Sequence, residues 1–194
     1  MNQRSHRLLI TLFGGAGVGL LIHIVTAPTL AARLLAIALL LLGLDQTRMA
    51  IVDLENIATV RQIPDCASQP QLTRFDWMTR STIAFELIGF YVSSQWLAWG
   101  CICVLLSQVW FNLLAGVQLL PTTEQPIQPF GIRDRAVILV ADSLGIGLAS
   151  GYAAEIQPCG MAIGLLSMVC LYGMIKYWPI IPKLPIHSEN TSKT

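Results

Sequence analysis

Charged residues are scarce in this chain of 194 residues. They make up 12% of the sequence, whereas an average soluble domain is about 25% charged. Hydrophobic residues make up 54%, so a water-soluble fold would have too few polar side chains to cover its surface. Lipid must therefore solvate much of the chain, and the formal net charge of +1 gives no reason to expect nucleic-acid binding.

The chain also lacks the common signatures of catalytic and metal-binding sites. It has no P-loop and no HExxH sequence, and its five cysteines include no Cys-x-x-Cys pair. Ligation of haem by two histidines needs both in the membrane, and only His23 lies in a hydrophobic segment. Ser150 and Gly151 resemble the serine motif of intramembrane proteases, but the following span has no histidine to act as a base. We therefore expect no metal, no cofactor and no disulfide framework. Of the possible classes of function, an enzyme is the least favoured.

Long hydrophobic runs, by contrast, are abundant. A helix needs about 20 apolar residues to cross the hydrocarbon core of a bilayer, and the sequence contains six hydrophobic segments that are candidate spans. The sequence thus predicts an all-α, polytopic transmembrane helix bundle within residues 1–178, followed by a flexible polar tail at 179–194. The predicted spans are residues 8–25, 29–48, 78–92, 96–120, 136–154 and 160–177.

Polar segments separate some of these spans. The second span runs into an amphipathic segment, residues 45–63, which ends at Pro64. We expect this segment either to lie at the membrane interface or to project from the membrane as a continuation of the second helix, with partner docking as a further role. Residues 64–74 and 121–131 contain several prolines and are predicted to be loops in water.

The basic residues predict the orientation of the bundle. Lysine and arginine in short loops concentrate on the cytoplasmic side of a membrane. With six spans and a cytoplasmic N-terminus, only Arg33 of the twelve basic residues falls toward the outer side. Both termini are therefore predicted to be cytoplasmic.

Six polar residues within or near the spans could form one layer in the cytoplasmic half of the bundle. Ionisable groups in a bilayer usually face the bundle interior and have a partner. The layer is either a proton- or cation-handling site, or the floor of a cytoplasm-facing cavity, or a set of structural interhelical hydrogen bonds. One specific hypothesis is that Arg48 pairs with Glu86 or Asp142. The six residues are Asp45, Arg48, Glu86, Gln108, Asn112 and Asp142.

Two further sets of residues are candidates for contacts between helices. His23 and Arg33 lie near the outer ends of the first two spans; they either face each other or Arg33 extends to the outer headgroups. Glycines at four-residue spacing favour close helix packing, within the chain or against a partner subunit. These glycines are Gly15 and Gly19, Gly147 and Gly151, and Gly160 and Gly164.

Three segments resemble a group of uncharacterised membrane proteins from cyanobacteria. They are residues 108–116 (QVWFNLLAG), residues 135–142, and the predicted helix at residues 45–61. The resemblance extends over most of the chain. It implies a plasma (inner) membrane or thylakoid membrane location and no known activity.

Two classes of function remain. Short outer turns, little soluble mass and glycine-lined helix faces favour a non-catalytic assembly factor or accessory subunit, with the lipid bilayer and other membrane subunits as partners. The alternative is a small proton- or ion-coupled transporter or channel that uses the polar layer. A transporter needs a cavity that reaches Glu86 and Asp142 from one side, whereas a scaffold protein would bury both acids in paired contacts.

Overall fold

The computed structural model describes residues 3–177, and almost all of its regular structure is helical, which confirms the all-α prediction at this level. A two-stranded antiparallel hairpin, β1 (Val117–Leu119) and β2 (Ile127–Pro129), connects two of the helices. The predicted tail at residues 179–194 lies outside the described range. The seven described helices are α1 (Gln3–Thr26), α2 (Leu30–Val60), α3 (Pro64–Ala67), α4 (Pro70–Ser93), α5 (Leu97–Leu114), α6 (Ala136–Ala153) and α7 (Pro158–Tyr177).

Prolines and a capping threonine explain where several helices begin. Pro64, Pro70 and Pro158 each occupy the first position of a helix, where the missing N–H and the fixed φ of proline do no harm. Thr29 precedes α2, and its side-chain oxygen accepts a hydrogen bond from the Ala32 backbone N–H at 3.2 Å. This bond satisfies one of the N–H groups that the helix leaves free at its start.

The fourth predicted span, residues 96–120, is wrong beyond residue 114. Gly116 adopts a φ of 68°, a left-handed conformation that glycine tolerates without steric cost, and the chain turns there into β1. The sequence predicts helix at Val117 and Leu119 because both residues are apolar and continue the hydrophobic run. They are instead buried in the hairpin with side chains from α2, α3 and α4.

The polar segments are more helical than expected. α2 continues without a break through the amphipathic segment 45–63 as far as Val60, so this segment is an extension of the second helix. The predicted water-exposed loop 64–74 contains α3 and the first turn of α4. Cys66 and Leu72 in this region are buried, because they pack beneath the hairpin.

Five of the helices are long and apolar enough to cross a membrane, namely α1 from His6 onward, α2, α5, α6 and α7. This indicates a membrane-embedded protein. Helix α4 has 24 residues but is not among the five, and its charged residues are Arg74, Asp76, Arg80 and Glu86.

Helix α2 is central to the packing of the bundle. It contacts α1, α4, α5, α7 and β1, while α4 packs most extensively against α5. Leu35, Leu39, Phe90 and Val104 are almost completely buried at the centre. Lipid is as apolar as these side chains, so van der Waals packing and hydrogen bonds, rather than the hydrophobic effect, hold such helices together.

Glycines bring α4 and α5 into direct backbone contact. A Cβ atom added at Gly89 would lie 2.9 Å from the backbone nitrogen of Val104, and one added at Gly100 would overlap the backbone of Ser93. Only glycine permits this separation of the two helices. We refer to these four residues as the glycine contact.

The glycine pairs selected from the sequence have different surroundings. Gly15 and Gly19 face Tyr91 and Ser94, so they pack α1 against the end of α4. The remaining four lie in α6 and α7. There, Gly151 faces Met161 and Gly164 faces Leu148, whereas Gly160 meets only Gln157 and nothing lies within 4 Å of a Cβ at Gly147. Gly147 and Gly160 therefore make no close helix contact within the described residues.

Candidate functional site

A cavity of about 330 Å³ lies between α2, α4, α5, the hairpin and the start of α6. Many of its wall residues are polar, and we call it the polar cavity. Asp53, Asn56 and Gln118 are only partly buried, so the cavity reaches the surface at the hairpin end of the bundle. Its polar wall residues are Gln46, Asp53, Asn56, Thr79, Thr82, Glu86, Gln108, Asn112, Gln118, Arg135 and Tyr172.

Helical periodicity explains why these residues meet. Thr79, Thr82 and Glu86 follow one another at three- and four-residue spacing, which places them on one side of α4. Gln46 and Asp53 are seven residues apart on α2 and share a side of that helix in the same way. Two polar stripes on neighbouring helices therefore face a common space.

Glu86 is buried in the wall of the cavity with 3% of its surface exposed. Gln108 on α5 donates a side-chain hydrogen bond to Glu86 Oε1. No lysine, arginine or histidine lies within 4 Å of its carboxylate among residues 6–177, whose side chains the structure describes. The carboxyl group therefore has a neutral partner and no contacting cation.

Arg135 is the other buried ionisable residue of the cavity, and it is also 3% exposed. Its Nη1 donates to Asn112 Oδ1 at 3.3 Å, and its Nη2 donates to the Val117 carbonyl at 2.8 Å. The guanidinium carbon lies 5.2 Å from the ring centre of Phe111 and 5.0 Å from that of Phe130. These contacts hold the guanidinium in one place between the hairpin and α5.

The Arg135 guanidinium makes no ion pair within the described part of the chain. Burial lowers the pKa of Arg135, and the negative charge of Asp53 partly opposes this effect. Its Nε has no hydrogen-bond partner. Arginine stays protonated in proteins, so a positive charge is buried here without a contacting carboxylate.

Two threonines add further unpaired groups to the cavity wall. Thr79 and Thr82 are buried, and neither Oγ1 has a hydrogen-bond partner. A buried hydroxyl without a partner costs about 1–3 kcal/mol. In a helix, threonine can satisfy its hydroxyl on the carbonyl four residues earlier, and within residues 6–177 neither of these two hydroxyls does so.

Asp142 lies on the other side of Gln108, at a second and smaller cavity of about 130 Å³. Asn112 Nδ2 approaches Asp142 Oδ2 at 3.5 Å, a long distance for a hydrogen bond. Asn112 thus lies between Arg135 and Asp142. Most of the walls of this second cavity are apolar, with side chains such as Leu39, Leu105 and Met168.

Asp45 and Arg48 belong to a separate group that joins α2 to α7. Lys176 Nζ lies 2.7 Å from Asp45 Oδ1, and the hydroxyl of Tyr177 also donates to Asp45. Arg48 Nη1 donates to that hydroxyl at 3.1 Å. Together with Tyr172, which accepts a bond from Lys176, these residues form what we call the α2–α7 cluster.

The hypothesis that Arg48 pairs with Glu86 or Asp142 is wrong. Arg48 is exposed and contacts the Tyr177 hydroxyl and ring. It follows Asp45 by three residues and so shares the side of α2 that faces α7. The predicted single layer consequently divides into the α2–α7 cluster and a set around the two cavities, made of Glu86, Gln108, Asn112 and Asp142.

His23 and Arg33 have different partners. His23 Nε2 lies 2.8 Å from the carbonyl oxygen of Ser94, and Arg33 Nε donates to the Ala27 carbonyl at 2.9 Å. Of the two alternatives for this pair, a direct contact between His23 and Arg33 is therefore not formed. His23 borders a shallow cleft of about 560 Å³ at the opposite end of the bundle from the hairpin.

Sequence reasoning did not select Arg135, Asp53, Thr79 or Thr82 as site residues. The sequence uses Arg135 only as a basic residue of the cytoplasmic side and as the start of the segment 135–142, and its burial depends on a hairpin that the sequence does not predict. The other three carried a usable signal, because polar residues at helical spacing mark one side of α2 and one side of α4.

No protein-family model matches the chain, and neither a curated protein nor a solved structure is significantly similar to it.

Proposed function

We propose that this protein is a six-span membrane protein that binds a small polar solute or ion in the polar cavity and moves it across the membrane, coupled to protons or ions. The observation that carries this proposal is the joint burial of Glu86 and Arg135 on one cavity, with no counter-ion contacting either among the residues that the structure describes. Burial of a charge is costly unless it is compensated. Ionisable residues kept inside a membrane commonly mark a solute or proton pathway.

Helix α4 serves as the sixth span in this proposal. Its 24 residues extend about 36 Å at 1.5 Å per residue. Arg74, Asp76 and Arg80 lie in its first three turns, and its exposed side farther along is apolar, with Phe85 and Ile88 each more than half exposed. Lipid can cover that side, while Glu86 faces the cavity.

The distribution of basic residues supports cytoplasmic termini and a cavity that opens to the cytoplasm. The cavity lies at the end of the bundle that carries α3 and the hairpin, where Arg61, Arg74 and Arg133 also lie. Toward the other end, Leu35, Leu39 and Phe90 fill the bundle, and the buried Ser93 hydroxyl donates to the Phe90 carbonyl of its own helix. A cavity at the basic end and a packed opposite end are what we expect of a transporter that opens to the cytoplasm.

The experiment that tests this function is proton flux in proteoliposomes that contain the purified protein. Under an imposed pH gradient, we expect flux above that of empty liposomes, and we expect Glu86→Gln and Asp142→Asn to reduce it strongly. Asp76→Asn is the matched control, because Asp76 pairs with Arg61 and Arg80 away from the cavities. Flux at the level of empty liposomes, or equal flux in Glu86→Gln and the unaltered protein, would contradict the proposal.

A second candidate is an accessory subunit or assembly factor of a larger membrane complex. Helices α6 and α7 favour it, because only 17% and 11% of their apolar windows are buried, against 39% for α2 and for α5. Another subunit could cover this surface in place of lipid. Gentle detergent extraction followed by mass spectrometry tests this candidate, and a partner recovered in a fixed ratio would support it.

A further inference from the structure

Arg135 provides a fixed binding point for an anion. Two of its nitrogens already donate, to Asn112 and to the Val117 carbonyl, while Nε has no partner. The rings of Phe111 and Phe130 flank the group and restrict its movement. Carboxylates are favoured ligands of such an arginine, because its donors form a rigid planar fork.

The acids of the same cavity provide the opposite charge. Asp53 on α2 and Glu86 on α4 both line it, and neither makes an ion pair with another described residue. Gln108 donates to only one oxygen of Glu86. A protonated amine has three donors and no acceptor, so it fits a wall with two carboxylates and several amide oxygens.

The two charged regions are close enough for one small molecule to contact both. Glu86 is bonded to Gln108, and Arg135 is bonded to Asn112. Gln108 and Asn112 are four residues apart on α5, which is about 6 Å along the helix axis. The cavity volume of about 330 Å³ is near the lower limit of small-molecule sites, so a compound of a few carbon atoms fits best.

Neither a simple anion nor a simple cation would pair with both Arg135 and the acids of the cavity. An anion on Arg135 would also lie near the carboxylate of Asp53, while a metal cation or a proton would leave Arg135 without a contacting anion. From this arrangement, and building on the transport function proposed above, we infer that the solute is small and amphoteric. Its carboxylate contacts Arg135, and its protonated amine contacts Glu86 and Asp53.

The test is a binding panel on the full-length protein in lipid nanodiscs, read as the midpoint of thermal unfolding and by calorimetric titration. The probes are L-alanine, L-serine and L-glutamine, with propionate and ethylamine as the matched compounds that carry one charge each. We expect at least one of the three amino acids to bind and to raise the midpoint. Propionate and ethylamine at the same concentration should have little effect.

Two variants locate the contacts. Arg135→Lys keeps the charge but loses the forked donors, and we expect it to weaken binding of the amino acid by about 10-fold or more. Asp53→Asn should weaken binding of the amino acid to a similar degree. Arg80→Gln is the control, since Arg80 is exposed and bonded only to Asp76, and its affinity should equal that of the unaltered protein.

Each outcome of the panel decides between the two proposals. If propionate or ethylamine binds as tightly as the amino acids, the inferred class of solute is wrong, while solute binding by the cavity stands. If none of the five compounds binds but proteoliposomes show proton flux that depends on Glu86, the solute class is wrong and the transport function stands. If neither binding nor flux is observed, both proposals are overturned.

Discussion

The two ends of the α4–α5 helix pair differ in a way that follows from side-chain size and polarity. At the glycine contact (Gly89, Ser93, Gly100 and Val104) the two backbones touch, and no space remains. Toward the start of α4, Glu86 is about one turn from Gly89, and Thr82 and Thr79 are about two and three turns from it; all three line a cavity. Tight packing at one end thus fixes the positions of the groups that line the space at the other.

The difference indicates which end supplies stability and which end supplies function. The glycine contact maximises van der Waals contact between backbones, which is a main source of helix association in a membrane. The cavity end keeps a buried carboxyl group, a buried guanidinium and free hydroxyls, all of which cost stability. Such costly groups tend to persist at sites where function needs them.

The largest expected effect comes from filling the glycine contact. Gly100→Val adds atoms where the Ser93 backbone already lies, so α4 and α5 must separate. Overpacking of a filled core costs about 1–3 kcal/mol and occasionally more, and we expect the upper part of this range. The measurement is the midpoint of thermal unfolding in detergent, together with the yield of monodisperse protein. An unchanged midpoint would contradict the close backbone contact.

Removing the buried carboxyl group should have a smaller effect of opposite sign. Glu86→Gln keeps the acceptor for Gln108 and removes an ionisable group that has no contacting cation. We expect a gain of about 1 kcal/mol in unfolding free energy, since burial of an ionisable group without a paired cation carries a desolvation cost that the amide reduces. Unfolding in a denaturing detergent measures this change. A clear loss of stability would instead indicate a structural role for the carboxyl group.

We expect the α2–α7 cluster to change the unfolding free energy by about as much as Glu86→Gln does, or by less. Lys176→Met removes the partner of Asp45 while keeping a side chain of similar length. The pair is largely buried, and its tyrosine partners keep part of the hydrogen bonding to Asp45, so we expect a loss of about 1 kcal/mol. Arg61→Ala is the comparison, because its pair with Asp76 is half exposed on the arginine side and such pairs contribute about 0–1 kcal/mol.

The smallest change is expected at Gly147, the open counterpart of Gly100. No atom lies within 4 Å of a Cβ at this position, so Gly147→Ala meets no obstacle within the chain. Alanine is favoured over glycine inside a helix by about 0.5–1 kcal/mol, and we expect stability to rise slightly. A marked loss of stability in the native membrane, but not in detergent, would show that Gly147 contacts a partner.

Periodic features of the chain were the easiest to predict from sequence. Hydrophobic runs predicted the helices α1, α2, α6 and α7, because length and apolarity decide which segments enter a bilayer. The end of α5 was missed because Val117 and Leu119 are apolar and read equally well as helix or strand. Residues 117–119 form a strand because they pair with residues 127–129.

The candidate site was predicted only in part, for a related reason. Depth in the spans selects Glu86, Asn112 and Asp142, and four-residue spacing from Asn112 adds Gln108; these four line the two cavities. Depth alone could not say which way Arg48 points or that Arg135 is buried. Both depend on the rotation and packing of neighbouring helices, which a single sequence does not record.

The comparison between the two ends of α4 has one direct test. In a variant with the five native cysteines replaced by alanine, a single cysteine is placed at Thr82 in the polar cavity or at Ser93 in the glycine contact. A membrane-impermeant thiol reagent is then applied to each side of sealed vesicles. We predict that the cysteine at position 82 reacts from the cytoplasmic side only, and that the cysteine at position 93 reacts from neither. Absence of reaction at position 82 from both sides would contradict a water-filled cavity and the function built on it.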